Sequence, residues 1–238
     1  MIGSMVFLIC ERGAALPAWF LLPASALLAW AIGGIPWGVL LVRWTKGVDL
    51  RRVGSGNTGA TNAARAMESR AGGLALFALV YLLDLTKAPA AFAPLFLVPP
   101  PAGMTPLLEG TFSALLGLAV ILGHCFSPWL GLRGGKGVAT TCGVLLMLDW
   151  LLLPLGLAVF FLVFLAFRMV SLGSICLGLS LPLFWLLIEP APLAGAALPP
   201  FLFLLLLALL ILLRHRSNLV RIAAGRERKV GLFSRAPR

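Results

Sequence analysis

Six apolar stretches, at 18–42, 74–98, 107–122, 138–167, 172–188 and 196–213, occupy most of this chain. A helix needs roughly 20 apolar residues to cross the ~30 Å hydrocarbon core of a bilayer, and runs of this kind leave little chain for a soluble core. Composition agrees, with 61% hydrophobic and 11% charged residues, where soluble domains carry roughly half and about a quarter. The chain reads as a single membrane-embedded domain over 1–238: an all-α, polytopic helix bundle whose basic tail starts at about 214. Glu11 and Arg12 precede the first stretch and no small-residue cleavage pattern follows it, so that stretch reads as a retained helix rather than a signal peptide.

The formal net charge of +11 would suggest nucleic acid in a soluble protein. Here the positive-inside rule accounts for it without a nucleic-acid partner. Six of the 19 Lys and Arg fall at 43–70, two at 133–136, one at 168 and eight at 214–238, so 17 can share one side. Only Arg12 and Lys87 fall elsewhere. Placing the clusters in the cytoplasm sets the amino terminus outside and makes Pro99, Pro100, Pro101 and Gly103 a short outer turn. The 30-residue run at 138–167 is too long for one span and short for two. A single crossing would put Arg168 and the basic tail outside, so parity predicts two crossings with a turn near Asp149 and Trp150. The total is about seven helices, some short or broken, with a break expected beside the loop at 134–137.

Cys10, Cys125, Cys142 and Cys176 lack the paired spacing of a zinc site or a disulfide framework and read as small packing residues. Asp84 and Lys87 stand inside the second run, where a lone charge would cost several kcal/mol, so they are expected to pair or to face the bundle interior.

The chemistry concentrates in three loops on the basic side. The first carries Gly54, Ser55, Gly56, Asn57, Thr58, Gly59, Thr61, Asn62 and then Arg65. Glycines let successive amides turn around an oxyanion, hydroxyls and amides add donors, and an arginine can bind two oxygens at once. The second runs from Gly123 and His124 to Arg133, Gly134, Gly135, Lys136, Gly137 and Thr140, leading into a helix whose amino end favours an anion. It is not the nucleotide-binding Walker loop, because Gly137 stands where Ser or Thr should follow the lysine and Leu130 where the first glycine belongs. In the third, His215, Asn218 and Arg221 recur every three residues, followed by Gly225 and Glu227. On a helix that spacing makes one face. Arg226, Arg228, Lys229 and Arg235 read as a patch against anionic lipid.

Together these loops resemble the three signature motifs of the bacterial acyl-phosphate:glycerol-3-phosphate acyltransferases of the PlsY type. Ser55 to Asn62 with Arg65 is similar to the first motif, Gly123 and His124 with Gly134 to Thr140 to the second, and His215, Asn218, Arg221, Gly225 and Glu227 to the third. Leu132 and Arg133 stand where the family often has Phe and Lys, so the charge is kept. The resemblance implies a multispanning enzyme of the bacterial inner membrane with its motifs on the cytoplasmic face. It implies acyl transfer from acyl phosphate to the sn-1 hydroxyl of glycerol 3-phosphate, giving lysophosphatidic acid and phosphate, the first step of phospholipid synthesis. The partners it implies are these two substrates, membrane lipid and the enzyme that makes the acyl phosphate.

On this reading Ser55, Arg65, His124, Lys136, His215 and Asn218 are the catalytic candidates. Gly54, Gly56, Asn57, Gly59, Thr61, Asn62, Gly134, Gly135, Gly137, Thr140, Arg221 and Glu227 would bind substrate. The 134–137 loop is expected to hold the acyl phosphate, while Ser55, Arg65, His215 and Asn218 position glycerol 3-phosphate. An acyl phosphate already has a good leaving group, so orientation and charge stabilisation suffice without a covalent intermediate. No Gly-x-Ser-x-Gly elbow occurs, and Trp129 and Val220 stand where a His-x4-Asp acyltransferase would place aspartate. His124, His215 and the donor phosphate are the candidate proton acceptors. No acidic cluster suggests a metal, and no cofactor is implied. An anion transporter, the rival reading, would need polar residues along both halves of a path, whereas here they gather at one boundary.

Overall fold

The computed structural model describes residues 18–97 and 104–230, with side chains from 23 to 93 and from 104 onward. The lead bearing Cys10, Glu11 and Arg12, the proline turn at 99–103 and the end of the tail with Arg235 lie outside the described residues. Among the described residues all regular structure is helical: α1 (Ala18–Gly34), α2 (Trp37–Lys46), α3 (Ala60–Arg65), α4 (Arg70–Leu97), α5 (Pro106–Cys125), α6 (Val138–Leu148), α7 (Leu152–Phe167), α8 (Val170–Ile188), α9 (Leu198–Arg214) and α10 (Arg216–Ala223). The broken pair α1–α2 and the helices α4, α5, α8 and α9 supply five spans of sufficient length and apolarity. The shorter apolar helices α6 and α7 bring the apolar segments to the expected seven.

The first apolar stretch is not one continuous helix. Pro36 has no amide hydrogen to continue the ladder, so α1 stops at Gly34 and α2 restarts at Trp37. In lipid the freed carbonyls need partners. The second loop provides them: Ser127 Oγ donates to Gly34 O at 2.6 Å and Trp129 Nε1 to Ala31 O at 2.9 Å. The break therefore joins the first span to the loop that follows α5.

The 138–167 run divides where charge parity requires. Asp149 ends α6 in extended backbone, and its carboxylate accepts from Leu151 N at 2.9 Å, turning the chain into α7. The 11 residues of α6 reach only about 16 Å at 1.5 Å per residue, half of a bilayer core. Both ends of the run return to one end of the bundle. Lys136, just before α6, bonds Asn218 on α10, which bonds Glu227, which accepts from Ser171 just after α7. That circuit of contacts requires α6 and α7 to form a hairpin.

Lipid tails offer no hydrophobic drive between helices, so association depends on close packing at small residues. Gly33 of α1 and Gly123 of α5 face each other's helices so closely that a Cβ on either would fall 2.1 Å from the carbonyl oxygen of Val120 or Trp30. Gly143 of α6 meets α4 likewise, 2.0 Å from Leu85 O. The main core, with Leu116, Val120, Ile121, Leu145, Leu177, Leu181, Leu207 and Ile211, joins α5, α6, α8 and α9. A second, smaller one holds Val42, Leu50, Ala63 and Val80 beneath the first loop. Cys125 and Cys142 are buried among these apolar side chains as packing residues.

Candidate active site

The first loop is organised from within. Asn62, buried on α3, gives its amide group to Val53 O and Asn57 O at 2.9 Å and to Leu50 O at 3.3 Å, and its Oδ1 accepts from Ser55 N at 2.9 Å. Asn57 Oδ1 in turn accepts from Gly59 N at 2.9 Å. Asn62 is thereby committed to the loop itself. Gly54, at φ +61, lies so close that a Cβ would fall 2.4 Å from Asn62 Oδ1. What the loop leaves exposed is Gly54, Ser55, Gly56 and, on α3, Arg65; Thr61 is half-buried.

In the second loop the glycines lie against His124. A Cβ on Gly134 would fall 2.1 Å from His124 O, and one on Gly135 2.0 Å from His124 Nε2. Gly135 N donates to His124 O at 3.0 Å, so that amide is already used. The other ring nitrogen, Nδ1, faces Lys87 Nζ at 3.3 Å and Asp84 Oδ1 at 3.5 Å, while Lys87 and Asp84 pair at 2.7 Å. Nδ1 of His124 is thus taken up by the pair on α4 while Nε2 faces Gly135, and the buried charges of α4 face the bundle interior as expected. Gly137, at φ +83, opens α6 as its N-cap, and the first helical bond comes from Thr141 N. The amides of Val138, Ala139 and Thr140 precede it, as at any helix start. The Thr140 hydroxyl itself is buried.

The third loop brings α9 and α10 back over the second. Lys136 Nζ donates to Asn218 Oδ1 at 2.5 Å, Asn218 Nδ2 to Glu227 Oε1 at 2.6 Å, Arg221 Nε to Glu227 Oε2 at 2.7 Å and Ser171 Oγ to Glu227 Oε1 at 2.8 Å. Gly225, at φ +65, turns the chain so that Glu227 reaches this position, and Val230 N then bonds Arg168 O at 2.8 Å. The carboxylate gathers the cluster. Burial alone would raise the Glu227 pKa, yet the bonds from Ser171, Asn218 and Arg221 together hold it below the ordinary value. Lys136 is brought down to about 8 by burial against the pull of Glu227, with Arg221, Arg65 and Arg214 adding to the decrease. Arg65 keeps part of its surface exposed; burial of the rest, then Arg228 and Arg221 against the pull of Glu227, lowers it, and it stays a cation.

His215 joins α9 to α10 and is buried. Its Nδ1 lies 2.9 Å from Ile211 O, and a carbonyl can only accept, so Nδ1 carries the hydrogen and Nε2 the lone pair. Burial, with the nearby charge of Lys136, takes this ring to about 4.

The structure therefore joins Lys136, Asn218, Arg221 and Glu227 by direct contact, with Arg65 and His215 in their field. Lys136 and Asn218, which the loop-by-loop division assigns to different substrates, touch each other, so the second and third loops share one cluster. Ser171 and Arg214 were not singled out from sequence. A serine at the start of an apolar helix carries no signal of its own, and Arg214 is one cation among eight in its cluster.

A polytopic helical membrane protein that gathers Lys136, Arg221 and Asn218 around one carboxylate, with Arg65 in their field, is of a kind suited to phosphate-bearing molecules at a bilayer boundary. Residues 24–225 match the family described as glycerol-3-phosphate acyltransferase. A glycerol-3-phosphate acyltransferase of Synechococcus elongatus is 38% identical over 208 residues, covering 87% of this chain and 94% of that protein. One of Thermotoga maritima is 39% identical over 222 residues, covering 91% and 99%. Among solved structures, PlsY, an integral membrane glycerol 3-phosphate acyltransferase in its glycerol 3-phosphate form, superposes with a TM-score of 0.71 at 32% identity, covering 88% of this chain and 96% of that one. Its lysophosphatidic acid form gives 0.71 at 31% identity, covering 88% and 95%. The chain belongs to the glycerol-3-phosphate acyltransferase family, of the PlsY type.

Proposed function

We propose that this protein transfers a fatty acyl group from acyl phosphate to the sn-1 hydroxyl of glycerol 3-phosphate, releasing lysophosphatidic acid and inorganic phosphate. The observation that carries the reading is the convergence of Lys136, Asn218, Arg221 and Glu227, with Arg65 in their field, at one end of the bundle. Both substrates carry a phosphate, and a shared cationic basin can hold the two close together with their negative charges balanced. The apolar helices beside it suit the acyl chain. Ser55 and the exposed first loop, which leads into Arg65, are proposed to add donors for glycerol 3-phosphate.

In the reaction the hydroxyl oxygen attacks the acyl carbon, the carbon–oxygen bond to phosphate breaks, and the hydroxyl proton leaves with the phosphate. The departing phosphate is the best proton acceptor of the three candidates. Nδ1 of His124 is engaged by the buried pair on α4, and His215, at about 4, is a weak base at neutral pH. Lys136 and Arg65 stabilise charge developing on the carbonyl oxygen and the departing phosphate, which in a partly desolvated basin is worth several kcal/mol. His124 and Asn62 position their loops, and Gly134 and Gly135 admit the close packing that seats the second one.

The basic face is placed on the cytoplasmic side of the bacterial inner membrane. There soluble glycerol 3-phosphate and an enzyme that makes the acyl phosphate would both reach it. The test supplies purified protein in lipid with palmitoyl phosphate and glycerol 3-phosphate. Lysophosphatidic acid and phosphate in equal amounts are expected; absence of both products overturns the reading, and a trapped acyl-enzyme overturns direct transfer.

A further inference from the structure

Arg214 closes α9 and lies outside the motif residues named above. Its guanidinium folds back over the second loop, with Nε donating to Gly135 O at 3.0 Å and Nη2 to Gly134 O at 2.8 Å. One face of the group covers the Phe126 ring, 5.1 Å from its centroid. A trans peptide points its carbonyl and its amide hydrogen in opposite directions, so the amides of Gly135 and Lys136 are turned away from Arg214. That of Gly135 meets His124 O at 3.0 Å. The Gly134–Gly135 peptide is therefore gripped at both ends, by α9 through its oxygen and by α5 through its hydrogen. The following peptide, held by Arg214 at its oxygen, leads directly into Lys136. The loop is already against His124, since Cβ atoms on the two glycines would overlap it, so this grip comes from the opposite side.

We propose that Arg214 is a positioning residue: its planar fork sets the path of the Gly134–Gly135 backbone and so the direction from which Lys136 meets a phosphate-bearing substrate. This rests on the acyl-transfer reading above. With two donors and one ring face engaged by protein, Arg214 acts through Lys136. Lysine keeps the charge but is a point donor that cannot span two carbonyls, so R214K isolates the fork from the charge.

The experiment compares wild type, R214K and R214Q in lipid, measuring KM and kcat for palmitoyl phosphate and for glycerol 3-phosphate, Tm, and backbone hydrogen exchange across 131–140. Both variants are expected to keep their Tm and to raise the KM for at least one substrate about tenfold or more with a lower kcat. Exchange at 134–137 should also quicken. R214K with wild-type KM, kcat and exchange overturns the proposal, as does a loss of rate at unchanged KM that follows the folded fraction. If R214Q does not accumulate, R214K carries the test. If wild type makes no lysophosphatidic acid, the acyl-transfer reading fails, and the exchange data alone decide whether Arg214 holds the loop.

Discussion

Lys136 is the cation through which the second and third loops meet, and burial, helped by the surrounding arginines, brings its pKa to about 8. K136A should lower kcat/KM for acyl transfer by a factor on the order of 100 or more, as loss of a charge-stabilising donor does elsewhere. Wild-type enzyme should show a rising KM for its phosphate substrates as pH passes about 8 and the ammonium loses its proton; an alkaline limb unchanged in K136R would refute that assignment. His215 makes the opposite edge testable. Its pKa is depressed to about 4, so between roughly 6.5 and 4 the unfolded chain binds a proton that the folded protein does not. Stability is then lost as pH falls through that window, by on the order of 3 kcal/mol. Denaturation of H215Q should show a shallower acid slope. Residue identities in this region were legible because amides, histidines and cations are rare in apolar sequence. Their division of labour was not: Asn62 has the same composition signal as Asn218, and only the hydrogen bonds show that one is spent on its own loop and the other meets Lys136.

At the scale of elements, the buried pair on α4 illustrates how helix and loop are coupled. Asp84 and Lys87 hold the His124 ring at the end of α5, that ring lies against Gly135, and the His124 carbonyl takes the Gly135 amide. Replacing a buried ion pair by neutral groups of similar shape is often neutral or stabilising, so D84N/K87M should fold. It should nonetheless lose activity by about tenfold or more, because His124 loses its partner. Full kcat/KM in that variant would reduce the pair to packing alone. Helix contacts make a second prediction. G143L places a side chain against Leu85 O, where even a Cβ falls 2.0 Å away. The α4–α6 contact must open, and thermal stability should fall by about 1–3 kcal/mol or more; an unchanged Tm would contradict the crossing. The existence of these helices followed from apolar length. The break at Pro36 was less legible, since prolines also occur inside α1 and α8, at Pro23 and Pro182, without ending either helix.

For the whole molecule, the decisive quantity is the number of crossings between the first loop and the tail. If the basic face is cytoplasmic, single cysteines at Ser55 and Ser217 in a background lacking native cysteines should be labelled by an impermeant maleimide only in inside-out vesicles, and one at Gly195 only in right-side-out cells. The reverse pattern would overturn the orientation while leaving the fold intact. Hydropathy and charge, being additive along a chain, were enough to determine a helical membrane protein, about seven apolar segments, the turn near Asp149 and the gathering of the loops on one side. Family membership was legible for a related reason, since its motifs are local strings. Tertiary structure alone decided that Lys136 of the second loop meets Asn218 of the third, that His124 Nδ1 turns to the buried pair on α4, and that Ser171 and Arg214 bond to these loops. Each of these depends on a distance between residues tens of positions apart, such as the 2.8 Å from Arg214 to Gly134 O, and such a distance exists only after the helices have packed.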